Sequence, residues 1–150
     1  MGRHMRRPSI ASIGLALSLL LFHDWGGMLF AQTPVPTPQQ LDQLLAPVAL
    51  YPDTLLAQIT TASTNPQEIL DVDAWLQQNA GLTGAALQNA AQQQGFDPAF
   101  VALVTFPQVL GMMAQNVDDY AAIGAAFSSN QASVMDSVQR LRAQARPRVA

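Results

Sequence analysis

Residues 46–59 read APVALYPDTLLAQI, an apolar run that Pro47 and Pro52 interrupt and that then restarts as a helix. Because proline has a fixed φ and no N–H group, Tyr51-Pro52-Asp53 predicts a turn that leads into a helix with Pro52 at its first position. Asp53 then lies in the first turn, where the helix dipole favours an anion, and we expect it to cap the helix. One apolar face follows, built from Leu55, Leu56 and Ile59. We therefore expect Tyr51 in the core, together with the leucines at positions 50, 55 and 56.

The same kind of helix start recurs along the chain. Three capping residues are each followed by proline: Thr37-Pro38, Asn65-Pro66 and Asp97-Pro98. The first two starts also place Gln40 and Glu68 three residues after the cap, which is the capping-box pattern. Gly95 predicts a helix end, and Phe106-Pro107 predicts a break between two helices. We place Trp75 largely buried on the helix that starts at Asn65.

Apolar residues recur with helical spacing between these signals, for example at Val134 and Val138. No strand-like alternation outcompetes these patterns. We therefore predict an all-α fold, a compact single-domain array of about seven or eight short helices with proline-marked starts. The helical domain is predicted at residues 39–146, after a proline-rich spacer at 32–38 and before a short C-terminal end at 147–150.

Residues 1–31 have the features of a secretory signal peptide. Arg6-Arg7 precedes an uncharged apolar stretch at residues 10–22 that is too short to span a bilayer comfortably. Cleavage is predicted after Ala31, although Leu29 stands where a small residue is usual. The mature chain would then be exported, to the periplasm or to the outside of the cell.

Two alternatives stay open for this leader. If cleavage fails, the leader would act as a membrane tether. Met5 is an alternative start to Met1, in which case residues 1–4 are not part of the protein. The sequence has no cysteine, so a lipid anchor at a cleavage-site cysteine, a disulfide framework and thiolate chemistry are excluded.

Charge is strongly segregated in the predicted mature chain. Residues 32–139 contain nine acidic side chains and no lysine or arginine. All basic charge lies at the C-terminal end: Arg140, Arg142, Arg146 and Arg148. An acidic body without a basic patch argues against binding of nucleic acid. We expect the arginines to end a helix, where cations suit the carbonyl end of the dipole; contact with an anionic lipid or a partner is the alternative.

Four segments together resemble a known family. They are LDQLLAPVALYPDTLLAQI (41–59), NPQEI (65–69) with Trp75 downstream, FDPAFVALVTFPQVLGMM (96–113) and VMDSVQRLRAQA (134–145). The resemblance is to the bacterial exported family catalogued as domain of unknown function 3300. It implies an exported helical domain with no established activity and no assigned catalytic residues. Members often continue into a low-complexity tail rich in Gly, Ser and His, so the resemblance leaves open whether Ala150 ends a truncated chain or a short variant.

Most catalytic side chains are missing from the predicted mature chain. Both histidines, His4 and His23, lie in the leader, and the sequence has no cysteine or lysine. We therefore expect no histidine base, thiolate nucleophile, Schiff-base lysine or zinc site. A glycine-rich phosphate loop and calcium-binding spacing are also missing. We predict no cofactor, no metal and no enzymatic activity.

Carboxylate chemistry is the remaining catalytic alternative. Glu68 and Asp71 are three residues apart and can share a helix face. As an acid pair they would suit a hydrolase of envelope glycans, which needs two carboxyl groups facing one cleft. As a solvated helix face they need no function, and we prefer that interpretation.

The two proline-marked apolar runs, residues 46–59 and 103–113, suggest a surface for a partner. We predict a groove between short helices, with seven candidate residues: Tyr51, Pro52, Leu55, Phe106, Pro107, Met112 and Met113. Because methionine fills irregular cores as well as adaptable grooves, the two methionines have both interpretations, and for them we prefer the core. The preferred function is a non-enzymatic interaction or structural module of the bacterial cell envelope, which binds an envelope protein or a second copy of itself.

Overall fold

The computed structural model describes residues 35–146, and this part of the chain consists of α-helices joined by short turns. The helices are α1 (Pro38–Leu45), α2 (Asp53–Ala62), α3 (Pro66–Gln78), α4 (Gly84–Gln94), α5 (Pro98–Leu103), α6 (Pro107–Gln115), α7 (Val117–Ser129) and α8 (Gln131–Ala145). The predicted all-α class is confirmed. Eight helices in the described residues also agree with the predicted number.

The polar caps read from the sequence determine where several helices begin. Thr37 and Gln40 form a reciprocal capping box at α1. The Gln40 N–H donates to Oγ1 of Thr37 at 3.3 Å, and the Thr37 N–H donates to Oε1 of Gln40 at 2.9 Å. Oδ1 of Asn65 caps α3, and Oδ1 of Asp97 caps α5. Gly95 ends α4 in the left-handed region, at φ 82°, as its residue type predicts.

The turn before α2 is held by Arg142 of α8. Its Nε donates to the carbonyl oxygen of Ala49 at 2.7 Å, its Nη2 donates to that of Tyr51 at 2.9 Å, and its Nη1 pairs with Oδ1 of Asp53 at 2.6 Å. Pro52 is the residue before α2 rather than its first residue. Asp53 lies in the first turn of α2, as predicted. Its carboxylate binds Arg142 and not a free N–H group of the helix, which corrects the prediction that it caps α2.

Arg140 ties α8 to α1. It pairs with Asp42 through Nη2 to Oδ1 at 2.7 Å and through Nε to Oδ2 at 3.3 Å, and Oγ of the buried Ser137 also donates to Asp42. The hydrogen bond from Arg140, with that from Ser137, holds the pKa of Asp42 below its ordinary value. Arg142 does lie in the last turn of α8, yet both arginines bind other parts of the fold. The expectation that the arginines end a helix is confirmed for Arg142, and the ion pairs of Arg140 and Arg142 are a further role that was not predicted.

α7 is the central helix, and it packs on α1, α2, α3, α6 and α8. Gly124 permits its close approach to the end of α2: a Cβ there would overlap the Ser63 carbonyl group and lie 2.8 Å from the backbone nitrogen of Thr64. The largest fully buried side chains come from seven of the helices and the turns: Leu45, Val48, Ile59, Ile69, Val72, Phe100, Leu103, Val104, Leu110, Met113, Ile123 and Val134. They form one continuous core.

Trp75 of α3 packs edge-to-face on Phe96, with 5.5 Å between ring centroids and 80° between ring planes. Trp75 packs against the core with only a minor part of its surface exposed, which agrees with the prediction that it is largely buried. Phe96, in the turn between α4 and α5, is likewise partly buried against the core.

No helix within residues 35–146 combines the length and the apolar character that crossing a membrane requires. The predicted signal peptide, the first residues of the predicted spacer and residues 147–150 lie outside the described residues.

Candidate functional site

An apolar cleft lies where the end of α3, the start of α4 and the turn between α5 and α6 meet. Its volume is about 600 Å³, within the usual range of ligand sites, and apolar atoms form most of its walls. The lining residues are Asp73, Leu76, Gln77, Asn79, Ala80, Leu82, Thr83, Gly84, Leu87, Val104, Thr105 and Pro107. We call this cavity the α3–α4 cleft.

The turn between α3 and α4 opens the cleft. α3 ends at Gln78, and Nδ2 of Asn79 closes it by donating to the Trp75 carbonyl oxygen at 2.8 Å. The Leu82 N–H then donates to the Asn79 carbonyl oxygen at 2.9 Å, and α4 begins at Gly84 with φ 57°. α3 packs chiefly on α6, whereas α4 packs on α5. The two helices therefore diverge and leave a gap between them.

Two large apolar side chains are exposed in the cleft wall or next to it. Leu82, in the wall, is 36% exposed. Phe106 is 45% exposed and stands between the lining residues Thr105 and Pro107. Exposed apolar groups clustered at a cavity are typical of interaction sites, whereas single exposed leucines need no explanation.

Asp73 brings a carboxylate into this apolar wall. It lies on α3, is partly buried, and its Oδ2 accepts a hydrogen bond from Nε2 of Gln77 at 2.8 Å. Its Oδ1 lies 3.8 Å from the position that a Cβ on Gly111 would occupy, so the side chain lies against α6. The two salt bridges found in residues 35–146 engage Asp42 and Asp53. The partner of Asp73 is a neutral amide.

A second depression, of about 700 Å³, lies between residues 35–47 and α7. It is more open and more polar than the α3–α4 cleft, with Thr37, Gln40, Gln43 and Asp119 in its walls. We therefore regard the α3–α4 cleft as the better candidate for binding apolar groups.

Three of the seven groove residues predicted from the sequence lie at or near the start of α2. Tyr51 is partly buried, and its carbonyl oxygen accepts from Arg142. Pro52 is exposed, and Leu55 is partly buried against the core. Leu50 is exposed in the turn before α2, so the prediction that it lies in the core is wrong. α2 packs chiefly on α5 and α7, whereas α6 packs chiefly on α3. These residues and those of α6 thus belong to different parts of the helix array.

The other four predicted groove residues lie at the start of α6 or within it. Pro107 lines the α3–α4 cleft, and the exposed Phe106 flanks it. Met112 is partly buried against the core. Met113 is fully buried, so its assignment to a surface groove is wrong. The packing of α6 on α3, α5 and α7 covers this side chain, and its core interpretation is the correct one.

The sequence analysis missed the cleft residues that α3 and the following turn contribute. Leu82 was the available signal, because it is an apolar residue between two glycines in a turn. Asp73 had no local signal that distinguishes it from Asp71, two residues earlier on the same helix. Which of the two faces a cleft depends on the neighbours of α3.

The carboxyl groups of Glu68 and Asp71 are both engaged in hydrogen bonds within the fold. Oε1 of Glu68 accepts from the Asp97 N–H at 2.7 Å, and Oε2 accepts from Nδ2 of Asn65 at 2.7 Å. Oδ1 of Asp71 accepts from Nε2 of Gln67 at 3.1 Å. Glu68 therefore links the start of α3 to the start of α5, which is a structural task. Within residues 35–146, no group of three or more potential metal-ligating side chains is found.

A family model described as "Protein of unknown function (DUF3300)" matches residues 37–149, and the chain belongs to this family. The resemblance seen in the sequence is thereby confirmed. Among curated proteins, the chain is similar to the "Uncharacterized protein YacH" of Escherichia coli (strain K12), with 43% identity over 103 residues. That alignment covers 69% of this chain and 17% of the relative, so the chain spans less than a fifth of that protein's length. No solved structure matches the chain.

Proposed function

We propose that this member of the DUF3300 family is a non-enzymatic interaction module of the bacterial cell envelope, which takes apolar side chains of a protein partner into the α3–α4 cleft. The observation that carries the proposal is the cleft itself, about 600 Å³ and mostly apolar, with Leu82 exposed in its wall. Burial of apolar surface stabilises a complex by about 25 cal/mol per Å². A few anchor side chains in such a pocket supply most of the affinity of an interface.

The chemistry of the cleft supports binding rather than catalysis. Asp73 is the carboxylate among its lining residues, whereas glycoside hydrolysis by carboxylates needs a facing pair. Glu68 and Asp71, the pair that the sequence offered for this role, are not among those lining residues. The predicted mature sequence also has no histidine, cysteine or lysine that could act as a base or nucleophile.

The proposed location rests on the leader sequence. Arg6-Arg7 and the apolar stretch at residues 10–22 favour export, with cleavage after Ala31 and without a lipid anchor. The chain carrying a C-terminal tag should be recovered from the envelope or the medium with Gln32 as its first residue. A protein that keeps its leader would support the tether alternative instead, and recovery from the cytoplasm alone would contradict export.

Site-specific crosslinking tests the cleft. The photoreactive residue p-benzoylphenylalanine replaces Leu82 in one variant and Leu50 in a matched control, because Leu50 is also an exposed leucine in a turn but is 67% exposed and does not line the cleft. We expect a defined envelope protein crosslinked from position 82 and not from position 50. Placing the group at Phe106 should give the same product, because Phe106 flanks the cleft.

A blocking variant completes this test. Ala80→Trp adds a large ring at an exposed position of the cleft wall, and Ala46→Trp adds the same ring at an exposed alanine at the end of α1. The crosslink from position 82 should disappear with Ala80→Trp and persist with Ala46→Trp. A crosslink that both variants retain, or one that forms from position 50 and not from 82, would contradict the proposed function.

A further inference from the structure

We infer that the occupant of the α3–α4 cleft is a cationic segment of another protein, which places a lysine or arginine at Asp73 and apolar side chains against α4 and the turn between α5 and α6. This inference rests on the proposed function and adds the charge of the partner. It follows from the division of charge between the helices and from the position of Asp73.

The charges of the molecule are divided between two sets of helices. The segment from α3 to α6, residues 66–115, contains four acidic side chains and no lysine, arginine or histidine: Glu68, Asp71, Asp73 and Asp97. The arginines of the described residues lie on α8 or directly after it, where Arg140 and Arg142 pair with Asp42 and Asp53. The part of the fold that forms the cleft therefore carries four negative charges and no positive one, which attracts a cationic partner and repels an anionic one.

Asp73 is the acidic residue through which this charge reaches the apolar wall. A partly buried carboxylate next to apolar side chains is stabilised by a cation, because a neutral amide compensates less of its lost hydration. Oδ2 already accepts from Gln77, and a carboxylate has about four acceptor positions, so the Asp73 carboxylate can accept further hydrogen bonds from an incoming ammonium or guanidinium group. Hydrogen bonds between ionised groups are stronger than neutral ones, and the low dielectric of a cleft strengthens them further.

The apolar walls define the rest of the occupant. Leu76 of α3, Leu87 of α4 and Val104 after α5 line the cleft together, so a small cation without apolar groups would leave most of the surface uncovered. Anionic lipids and nucleic acids carry the wrong charge for this face. A peptide segment that alternates apolar and basic side chains satisfies both the walls and Asp73.

Peptide titration tests the inference directly. The ¹⁵N-labelled full chain is titrated with three short peptides that share the same leucine and phenylalanine positions and carry lysine, glutamine or glutamate at the remaining ones. We expect the lysine peptide to shift the amide signals of cleft residues and to bind about tenfold more tightly than the glutamine peptide, because a charged hydrogen bond of this kind contributes roughly that factor. The glutamate peptide should bind most weakly. Added salt should reduce the advantage of lysine.

Two substitutions on α3 form the matched pair. Asp73→Asn removes the charge from the cleft wall, whereas Asp71→Asn removes a charge from the same helix outside the cleft lining. Both aspartates accept from a glutamine amide one turn away, so the two variants lose comparable local contacts. The lysine peptide should lose its advantage with Asp73→Asn and keep it with Asp71→Asn.

The outcomes separate the inference from the proposed function. If the lysine and glutamine peptides shift the same cleft signals with equal affinity, the charge inference is overturned and the proposed function stands. If Asp73→Asn and Asp71→Asn reduce the affinity advantage of the lysine peptide equally, the charge inference is also overturned. The general negative charge of this part of the fold would then explain the preference for lysine. If no peptide shifts the amide signals of the cleft residues, both the charge inference and the proposed function are contradicted. Concentration-dependent dimerisation that Asp73→Asn abolishes would make a second copy the occupant and would overturn the assignment to another protein.

Discussion

The two sides of the helix array are held together by different means. On one side, which we call the clamped side, α8 binds Asp42 of α1 through Arg140 and binds the turn before α2 through Arg142. On the other, the cleft side, α3, α4 and the turn between α5 and α6 rely on apolar packing, with the Glu68–Asp97 hydrogen bond as a polar link between α3 and α5. The difference shows that the long-range polar contacts of the described residues concentrate around α8. Because the arginines of residues 35–146 belong to the C-terminal part, the salt bridges form around α8 and not at the α3–α4 cleft.

The largest expected effect is at the contact of α7 with the end of α2. Gly124→Ala should lower the free energy of unfolding by about 3 kcal/mol or more, because its Cβ meets the backbone of Ser63 and Thr64, which cannot move like a flexible side chain. Gly111→Ala is the matched control in α6, where the nearest atom would be Oδ1 of Asp73 at 3.8 Å. There the substitution should be neutral or stabilising, because alanine favours a helix interior. Urea unfolding followed by circular dichroism measures both.

Breaking the clamp at Arg142 should have the next largest effect. Arg142→Met keeps much of the aliphatic stem and removes the donors to the carbonyl oxygens of Ala49 and Tyr51. We expect the free energy of unfolding to fall by about 2 kcal/mol, which is typical when a buried carbonyl group loses a charged hydrogen-bond donor. Asp53→Asn should have a much smaller effect, because the Asp53 side chain is 85% exposed and exposed ion pairs contribute little. Equal losses in the two variants would mean that the ion pair, and not the carbonyl bonds, holds this turn.

On the cleft side, the aromatic pair of Trp75 and Phe96 should contribute less to the free energy of unfolding than the Arg142 contacts do. Phe96→Leu removes the edge-to-face contact and should lower the free energy of unfolding by about 1 kcal/mol. Trp75 emission should shift to longer wavelength and be quenched more by iodide, measured in a Trp25→Phe background to remove the leader tryptophan. Phe127→Leu on α7 is the control, and it should leave the emission unchanged. Identical spectra for Phe96→Leu and its parent would contradict the contact.

The smallest effect at neutral pH is expected at Asp42, and acid reveals it. Because the hydrogen bond from Arg140 lowers the folded-state pKa of Asp42 below the unfolded value of about 3.9, its contribution to stability is present above that value and is lost as the pH falls through the lowered pKa. The parent and Asp42→Asn should therefore differ in free energy of unfolding at pH 6, and this difference should become smaller as the pH falls to 3. Arg140→Gln should show the same narrowing. Parallel pH profiles for parent and variants would contradict a role for this pair.

Local sequence signals accounted for much of the fold but for little of the candidate site. Thr37, Asn65 and Asp97 each cap the helix that their residue types predicted, because a cap acts over two or three residues. The predicted groove required knowledge of which helices pack together. Met113 was a groove candidate as well as a core candidate for this reason, since an apolar residue on a short helix looks the same in sequence whether its face is covered or open.

The sequence by itself determined the all-α class, the positions of helix starts and the family, because caps, prolines and apolar periodicity act within a few residues. Tertiary structure alone decided the clamps and the cleft. Asp42 and Arg140 are 98 residues apart, and Ala49 and Arg142 are 93 apart, so their contacts depend on how the chain returns to α1 and α2. The cleft likewise exists because α3 packs on α6 while α4 packs on α5. Long-range packing therefore selected Asp73, and not the neighbouring Asp71, as the acidic residue of the cleft wall.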